Sequence, residues 1–284
     1  MLSHDATLKL GAGFTLPGDT APFERTANWL REHGFSGVMI GLDPAWSDEK
    51  TERIGQTFSD HQLAVYEVAA YTSLIHEDAQ TRRANIDGVK RKTEQAAIMG
   101  ALCVATVGGS AAGWAPHRQT HSEESWSRLV DAVHEVLEAT PGSVKFCLES
   151  WPPTVLPDLQ SMARILDEIS GERLGILFDP ANLVTIETYF ESGTMIDDAF
   201  DQLGHRFVAV HCKDIKWLMG GMQTGLGEVV PGRGILDYDT FLRRVAAAPR
   251  ELPLIIEHLK DPEEVIEAAA FIRRRAHSCD LAIV

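Results

Sequence analysis

The sequence predicts a (β/α)8 TIM barrel, an α/β fold in which residues 1–284 form one domain. Three observations predict it. A length of 284 residues suits one barrel of about 250 residues with decorations. Short apolar runs alternate with longer amphipathic stretches along the whole chain, with no break in composition. No strand candidate is followed by the G-x-G-x-x-G turn expected of an open dinucleotide-binding sheet.

Eight runs read as strands: residues 8–14, 37–42, 63–71, 101–108, 144–149, 174–179, 207–213 and 252–257. They are nearly continuous in Val, Ile, Leu, Ala and Cys, the pattern of strands buried on both faces. Gly11, Ala12 and Gly13 end the first as small packing residues. Helical segments fall between. Residues 22–33 carry Phe23, Ala27 and Leu30 on one face. Residues 48–61 follow, and then a long segment, 78–100, with basic residues on its outer side. Residues 122–139 open on Ser122 as N-cap, with Glu123 and Glu124 in the first turn, and bury Trp126, Leu129, Val133, Val136 and Leu137. Residues 156–170 place Pro157 in a first turn. Residues 197–203, 239–248 and 262–276 complete the set. The longest irregular stretches, 110–121, 186–196 and 216–237, all follow strand ends. They are therefore expected over one mouth of the barrel, where such folds build specificity.

Composition narrows the function classes. Apolar residues at 44% are enough for a large core, and the net charge of −15 disfavours nucleic acid and anionic membranes as partners. The densest basic run, Arg273-Arg274-Arg275, falls near the end of the last helix, where cations are favoured. Cys103, Cys147, Cys212 and Cys279 form no CxxC pair, and three lie in apolar runs, so a reduced, cytoplasmic protein is expected. The N-terminus has no signal-peptide pattern, and no apolar stretch approaches the roughly 20 residues of a membrane span. Apolar barrel flanks leave a homo-oligomer open.

The chemistry concentrates at the ends of the last four strands. Glu149, Asp179, His211 and Glu257 each interrupt or end an apolar run, about one βα unit apart, with a longer gap before the last. In a closed barrel these positions face a common centre. Three carboxylates and an imidazole at one point repel one another unless a cation sits among them. This oxygen-rich set suits one divalent ion: Mn, Mg, Co or Fe, with Zn possible.

The segments Leu148-Glu149-Ser150, Phe178-Asp179-Pro180-Ala181-Asn182-Leu183, Val210-His211-Cys212-Lys213-Asp214 and Ile255-Ile256-Glu257-His258 resemble the sugar isomerase/epimerase family with the xylose-isomerase-like barrel. The resemblance runs from the first strand to the last helix. That family includes ketose 3-epimerases, hydroxypyruvate isomerase, inosose dehydratase and, more distantly, AP endonucleases. The resemblance implies that Glu149, Asp179, His211 and Glu257 are metal ligands, with Glu149 and Glu257 also the catalytic acid/base pair. The implied activity is isomerisation or epimerisation of a sugar, sugar phosphate or keto-polyol through an enediolate. The alternative is a dehydratase of the inosose or dehydroshikimate type. Two departures matter. The epimerases' substrate-contacting histidine is replaced by Asn182, which can hydrogen-bond a hydroxyl but cannot shuttle a proton near neutral pH. The D-x-H pair of the endonucleases is missing after the seventh strand, which makes phosphodiester cleavage the distant alternative. A barrel that binds sugar without turnover is a further reading, against which four intact ligands argue.

Other substrate-binding candidates have two readings each. Lys213 binds a substrate oxygen or neutralises carboxylates. Arg233 reaches a substrate anion or is a solvated loop arginine. Glu67 points into the site or forms a buried ion pair. His76 touches substrate or lies on the surface, and Trp114 stacks on a sugar face or packs at the rim. Trp151 and Trp217 wall the pocket or pack in the core. His258 is expected to pack on the outside of the barrel, because neighbouring strand residues face opposite ways.

Overall fold

The computed structural model describes residues 7–220 and 223–284. Eight parallel strands close the barrel: β1 Leu10–Ala12, β2 Gly37–Gly41, β3 Ala64–Ala69, β4 Cys103–Thr106, β5 Lys145–Glu149, β6 Leu174–Phe178, β7 Phe207–Cys212 and β8 Leu254–Ile256. The ring closes where β8 pairs with both β1 and β7, Ile255 lying opposite Gly11 on one side and His211 on the other. Glycines in β1 and at the start of β2 make room for the Tyr66 ring. A Cβ on Gly11 would lie 2.7 Å from the Tyr66 ring, and one on Gly37 only 2.2 Å from it.

The helices are α1 Glu24–Glu32, α2 Asp48–Asp60, α3 Ala79–Met99, α4 Glu123–Ala139, α5 Leu159–Glu168, α6 Ser192–Leu203, α7 Tyr238–Ala246 and α8 Pro262–Ser278. Their limits follow from capping chemistry. The Asp78 carboxylate accepts the Thr81 N–H to start α3, and Gly100, at φ 69°, ends it in the left-handed region that glycine tolerates. Ser122 caps α4, whose buried stripe is the expected one. In α5 the expectation for Pro157 fails. Asp158 and Ser161 form a reciprocal capping box, so the helix begins at Leu159 and Pro157 stays outside it. Helix α6 begins at Ser192, five residues earlier than its apolar pattern indicated.

The apolar residues separate into two clusters. The larger fills the layer between strands and helices. The smaller plugs the barrel with Tyr66, Cys103, Ala105, Cys147, Leu177, Val208, Ala209 and Ile255, so the centre is a packed floor rather than a pore. The basic run near the C-terminus is largely spent on helix packing. Arg273 donates to the carbonyls of His33 and Gly34 past the end of α1, and Arg275 pairs with Asp239.

The stretch 216–237, expected to be irregular, contains an antiparallel hairpin. Asp214–Gly220 pairs with Gln223–Val229, Leu226 lying opposite Trp217. Gly225 and Gly227 break the alternation of side chains that marks a strand. The gap at Gly227 is used: a Cβ there would lie 2.2 Å from Leu218 Cδ1. The loop that follows is tied to Asp214, whose carboxylate accepts the backbone N–H groups of Gly232, Gly234 and Leu236. A Cβ on Gly234 would lie 2.2 Å from Asp214 Oδ1, and Gly232 has φ 97°. The Gly-Arg-Gly sequence is therefore a backbone cage around one carboxylate.

Candidate metal centre

Strand register brings the four ligand candidates together. Glu149 ends β5, Asp179 follows β6, His211 is the penultimate residue of β7, and Glu257 follows β8. All four are buried, and one donor atom from each lies within 4.8 Å of the others. His211 Nδ1 is 2.8 Å from Glu257 Oε1, 3.6 Å from Glu149 Oε1 and 4.0 Å from Asp179 Oδ2.

The donor chemistry fits a divalent cation. Asp179 Oδ2, His211 Nδ1 and both Glu257 oxygens are buried without a properly aligned hydrogen bond, although charged neighbours approach closely. Buried polar atoms are nearly always hydrogen-bonded; here these donor atoms rely on ion pairs with His211 and Lys213 instead, an arrangement that a divalent cation can join. Three oxygen donors and one imidazole nitrogen can hold Mg, Mn, Co, Fe or Zn.

A shell of partners orients these groups. Glu67, fully buried in β3, places Oε2 2.9 Å from His211 Nε2. That contact turns Nδ1 toward the cluster, as the carboxylate behind a metal-binding histidine does. Tyr71 OH lies 2.6 Å from Glu149 Oε2 and 3.1 Å from Glu67 Oε1, and Asn182 Nδ2 donates to Glu149 Oε1 at 2.8 Å. Asp179 Oδ1 accepts the Ala181 N–H. Lys213 Nζ lies 2.7 Å from Asp179 Oδ2 and also touches Glu257 Oε1. Glu67→Gln is expected to weaken Mn2+ binding about 10- to 100-fold, measured by titration calorimetry. Unchanged affinity would remove Glu67 from this role.

The electrostatics separate the two glutamates. Burial raises the Glu149 carboxyl above its usual range, against the pull of His211 and Lys213. Burial also pushes Glu257 upward, but His211 and Lys213 overcome it and hold the group below the carboxylate range. Burial works against the charges of His211 and Lys213 too. Even so, Glu257, Glu67 and Glu149 raise the imidazole, and Asp179 and Glu257 raise the ammonium. Burial, then Glu149 and Glu67, push the Tyr71 hydroxyl far up, so it remains a hydrogen-bond donor.

A cavity of about 340 Å3 opens above the cluster, lined by Glu149, Glu257, Asn182, Lys213, Trp114 and Trp151 among others. Trp114 is half-exposed and lies against Trp151, ring centres 5.7 Å apart. Glu67 lies beneath the cavity in its buried ion pair with His211. His76 is not in the lining; its ring accepts the Asp78 N–H, and it sits beside Gly113. Arg233 is turned outward, forked on Glu267 and paired with Glu264 of α8. Trp217 packs edge-on against Tyr189.

His258 corrects the expectation of outside packing. Strand β8 stops at Ile256, so strand alternation does not reach His258. A left-handed turn, φ 62°, swings it over the cavity, where Nδ1 meets Glu228 Oε2 at 2.9 Å. Tyr71 and Glu228 also line the cavity without having been singled out. Tyr71 lay at the end of a strand candidate, the position that marked the ligands. Glu228 had no signal, because its hairpin had none.

No curated protein sequence matches the chain. Several solved structures share its fold. The 3-keto-D-glucoside 4-epimerase of E. coli is 15% identical with a TM-score of 0.71, over 94% of this chain and 99% of that one. A probable 3-DHS dehydratase of Bacillus anthracis is 18% identical with a TM-score of 0.70, over 95% and 99%. A barrel protein of Mycobacterium smegmatis in complex with magnesium is 14% identical with a TM-score of 0.69, over 98% and 99%. The model of the xylose isomerase-like TIM barrel family matches residues 27–275, most of the sequence, and the chain belongs to that family.

Proposed function

We propose that the protein is a divalent-metal-dependent isomerase or epimerase of a ketose or keto-polyol. The observation that carries this reading is the convergence of Glu149, Asp179, His211 and Glu257 donor atoms within 4.8 Å beneath an open cavity. These four residues would hold the ion, which when bound supplies positive charge to adjacent substrate oxygens and so lowers the cost of an enediolate.

The remaining work falls to side chains. Glu257, which faces the cavity just past the end of β8, is the base that takes the proton from the carbon beside the carbonyl. Glu149, at the end of β5 across the ring of ligands, is the partner that returns a proton. Tyr71 and Asn182 fix both Glu149 oxygens, so the acid is held in one orientation. Trp114 and Trp151 offer apolar faces to a sugar ring and narrow the access of water.

One observation favours dehydration as a second reading. Asn182 stands where the epimerases it resembles carry a substrate-contacting histidine, and an amide cannot shuttle a proton near neutral pH. Incubation with Mn2+ and a panel of ketoses in deuterated water separates the two. Deuterium appearing at the carbon beside the carbonyl, by NMR, supports isomerisation or epimerisation. A new conjugated ultraviolet chromophore supports loss of water. No exchange and no chromophore with any ketose or metal contradicts both.

A further inference from the structure

We propose that the cavity over the metal centre continues into an apolar chamber that seats a neutral aromatic or alicyclic substituent of the substrate. The substrate class is then a substituted sugar, such as an aryl glycoside carrying a keto group, rather than a free or phosphorylated sugar. This rests on the sugar reading above.

The chamber has a volume of about 530 Å3, against about 340 Å3 for the space over the cluster. The two share Trp151, Asn182, Lys213 and Glu228, so a ligand anchored at the cluster extends directly into the second space. Its other walls are mainly apolar and come from three separate loops. Pro152 and Pro153 follow β5, Val184 and Ile186 follow β6, and Leu226 belongs to the hairpin after β7. Proline and tryptophan faces beside branched side chains suit a flat or alicyclic apolar group.

Charge excludes the commoner alternative. Lys213 is the one cation among the chamber's lining residues, and Asp179 and Glu257 already hold it. Glu228 at the junction is paired with His258, and Arg233 faces away onto α8. A phosphate or carboxylate there would find no unpaired cation among the chamber's described lining residues. The apolar character continues outward. Trp114, Ile186, Phe190, Leu218 and Met219 are exposed large apolar residues, and all lie in the segments that follow β4, β6 and β7 at this mouth. Of these, Trp114 lines the space over the cluster and Ile186 lines the chamber, so the apolar surface reaches the metal centre through them and the substrate is its occupant.

The test is titration calorimetry on Mn2+-loaded protein with 2-naphthyl β-D-glucopyranoside, methyl β-D-glucopyranoside, D-fructose and glucose 6-phosphate. The naphthyl glycoside is expected to bind at least about tenfold more tightly than the methyl glycoside. The phosphate is expected to bring no gain. Leu226→Ser and the exposed-site variant Ile186→Ser should each cut the naphthyl preference at least about threefold, with Mn2+ affinity unchanged. Equal binding of the two glycosides, or binding of fructose alone, overturns the chamber and leaves the sugar reading standing. If none of the four compounds binds, both readings fall. A sedimenting dimer that Ile186→Ser dissociates, with no naphthyl preference, would give the surface to a second copy and overturn the proposal.

Discussion

Glu257→Gln is expected to lower the rate of proton exchange in a ketose substrate by about 10²- to 10⁴-fold, the usual loss when a positioned acid or base is removed. The amide keeps the shape of the side chain, so the fold should survive. It loses the negative charge that faces both His211 Nδ1 and Lys213 Nζ, and it loses the ability to accept a carbon-bound proton. Metal affinity should fall as well, so the rate must be read at saturating Mn2+. The comparison with Glu149→Gln carries the argument further. Both variants should be inactive, because one glutamate takes the proton and the other returns it. A Glu257→Gln protein with near-normal exchange at saturating metal would remove the acid/base assignment.

Lys213→Met is expected to destabilise the metal-free protein by about 3–5 kcal/mol, the range for breaking a buried ion pair by removing one partner. The ammonium is almost fully buried and serves Asp179 and Glu257 together. Without it, four buried carboxylates, including Glu67, are left to His211, with only the more exposed His258 beside Glu257. The electrostatic account adds a sign. Saturating Mn2+ should recover much of the lost stability, since an ion bound only by the folded state stabilises it by mass action. Urea denaturation with and without Mn2+ measures both quantities. A loss below about 1 kcal/mol, or one unaffected by Mn2+, would show that Lys213 does not balance this cluster.

The barrel was legible because its strands are buried on both faces and so read as unbroken apolar runs. All eight such runs contain a strand. The ligand candidates stood out against that background: a charged residue at the end of a run such as Ile176-Leu177-Phe178-Asp179 needs a partner. What depends on the third dimension was not legible. The pairing of Glu67 with His211 joins residues far apart in sequence, and only the ring of strands brings them together. His258 was misplaced because a strand rule was applied two residues past the strand. Arg233 looked free in sequence, yet α8 supplies two glutamates that hold it. The hairpin after β7, which brings Glu228 and Leu226 to the cavity, was hidden by its glycines.

Crystals grown with Mn2+ and measured at the manganese absorption edge test the central claim most directly. One anomalous peak per chain is predicted, enclosed by Glu149, Asp179, His211 and Glu257 and missing in His211→Ala crystals grown the same way. Metal-replete crystals without a peak at that point, or with the only peak elsewhere on the molecule, would contradict it.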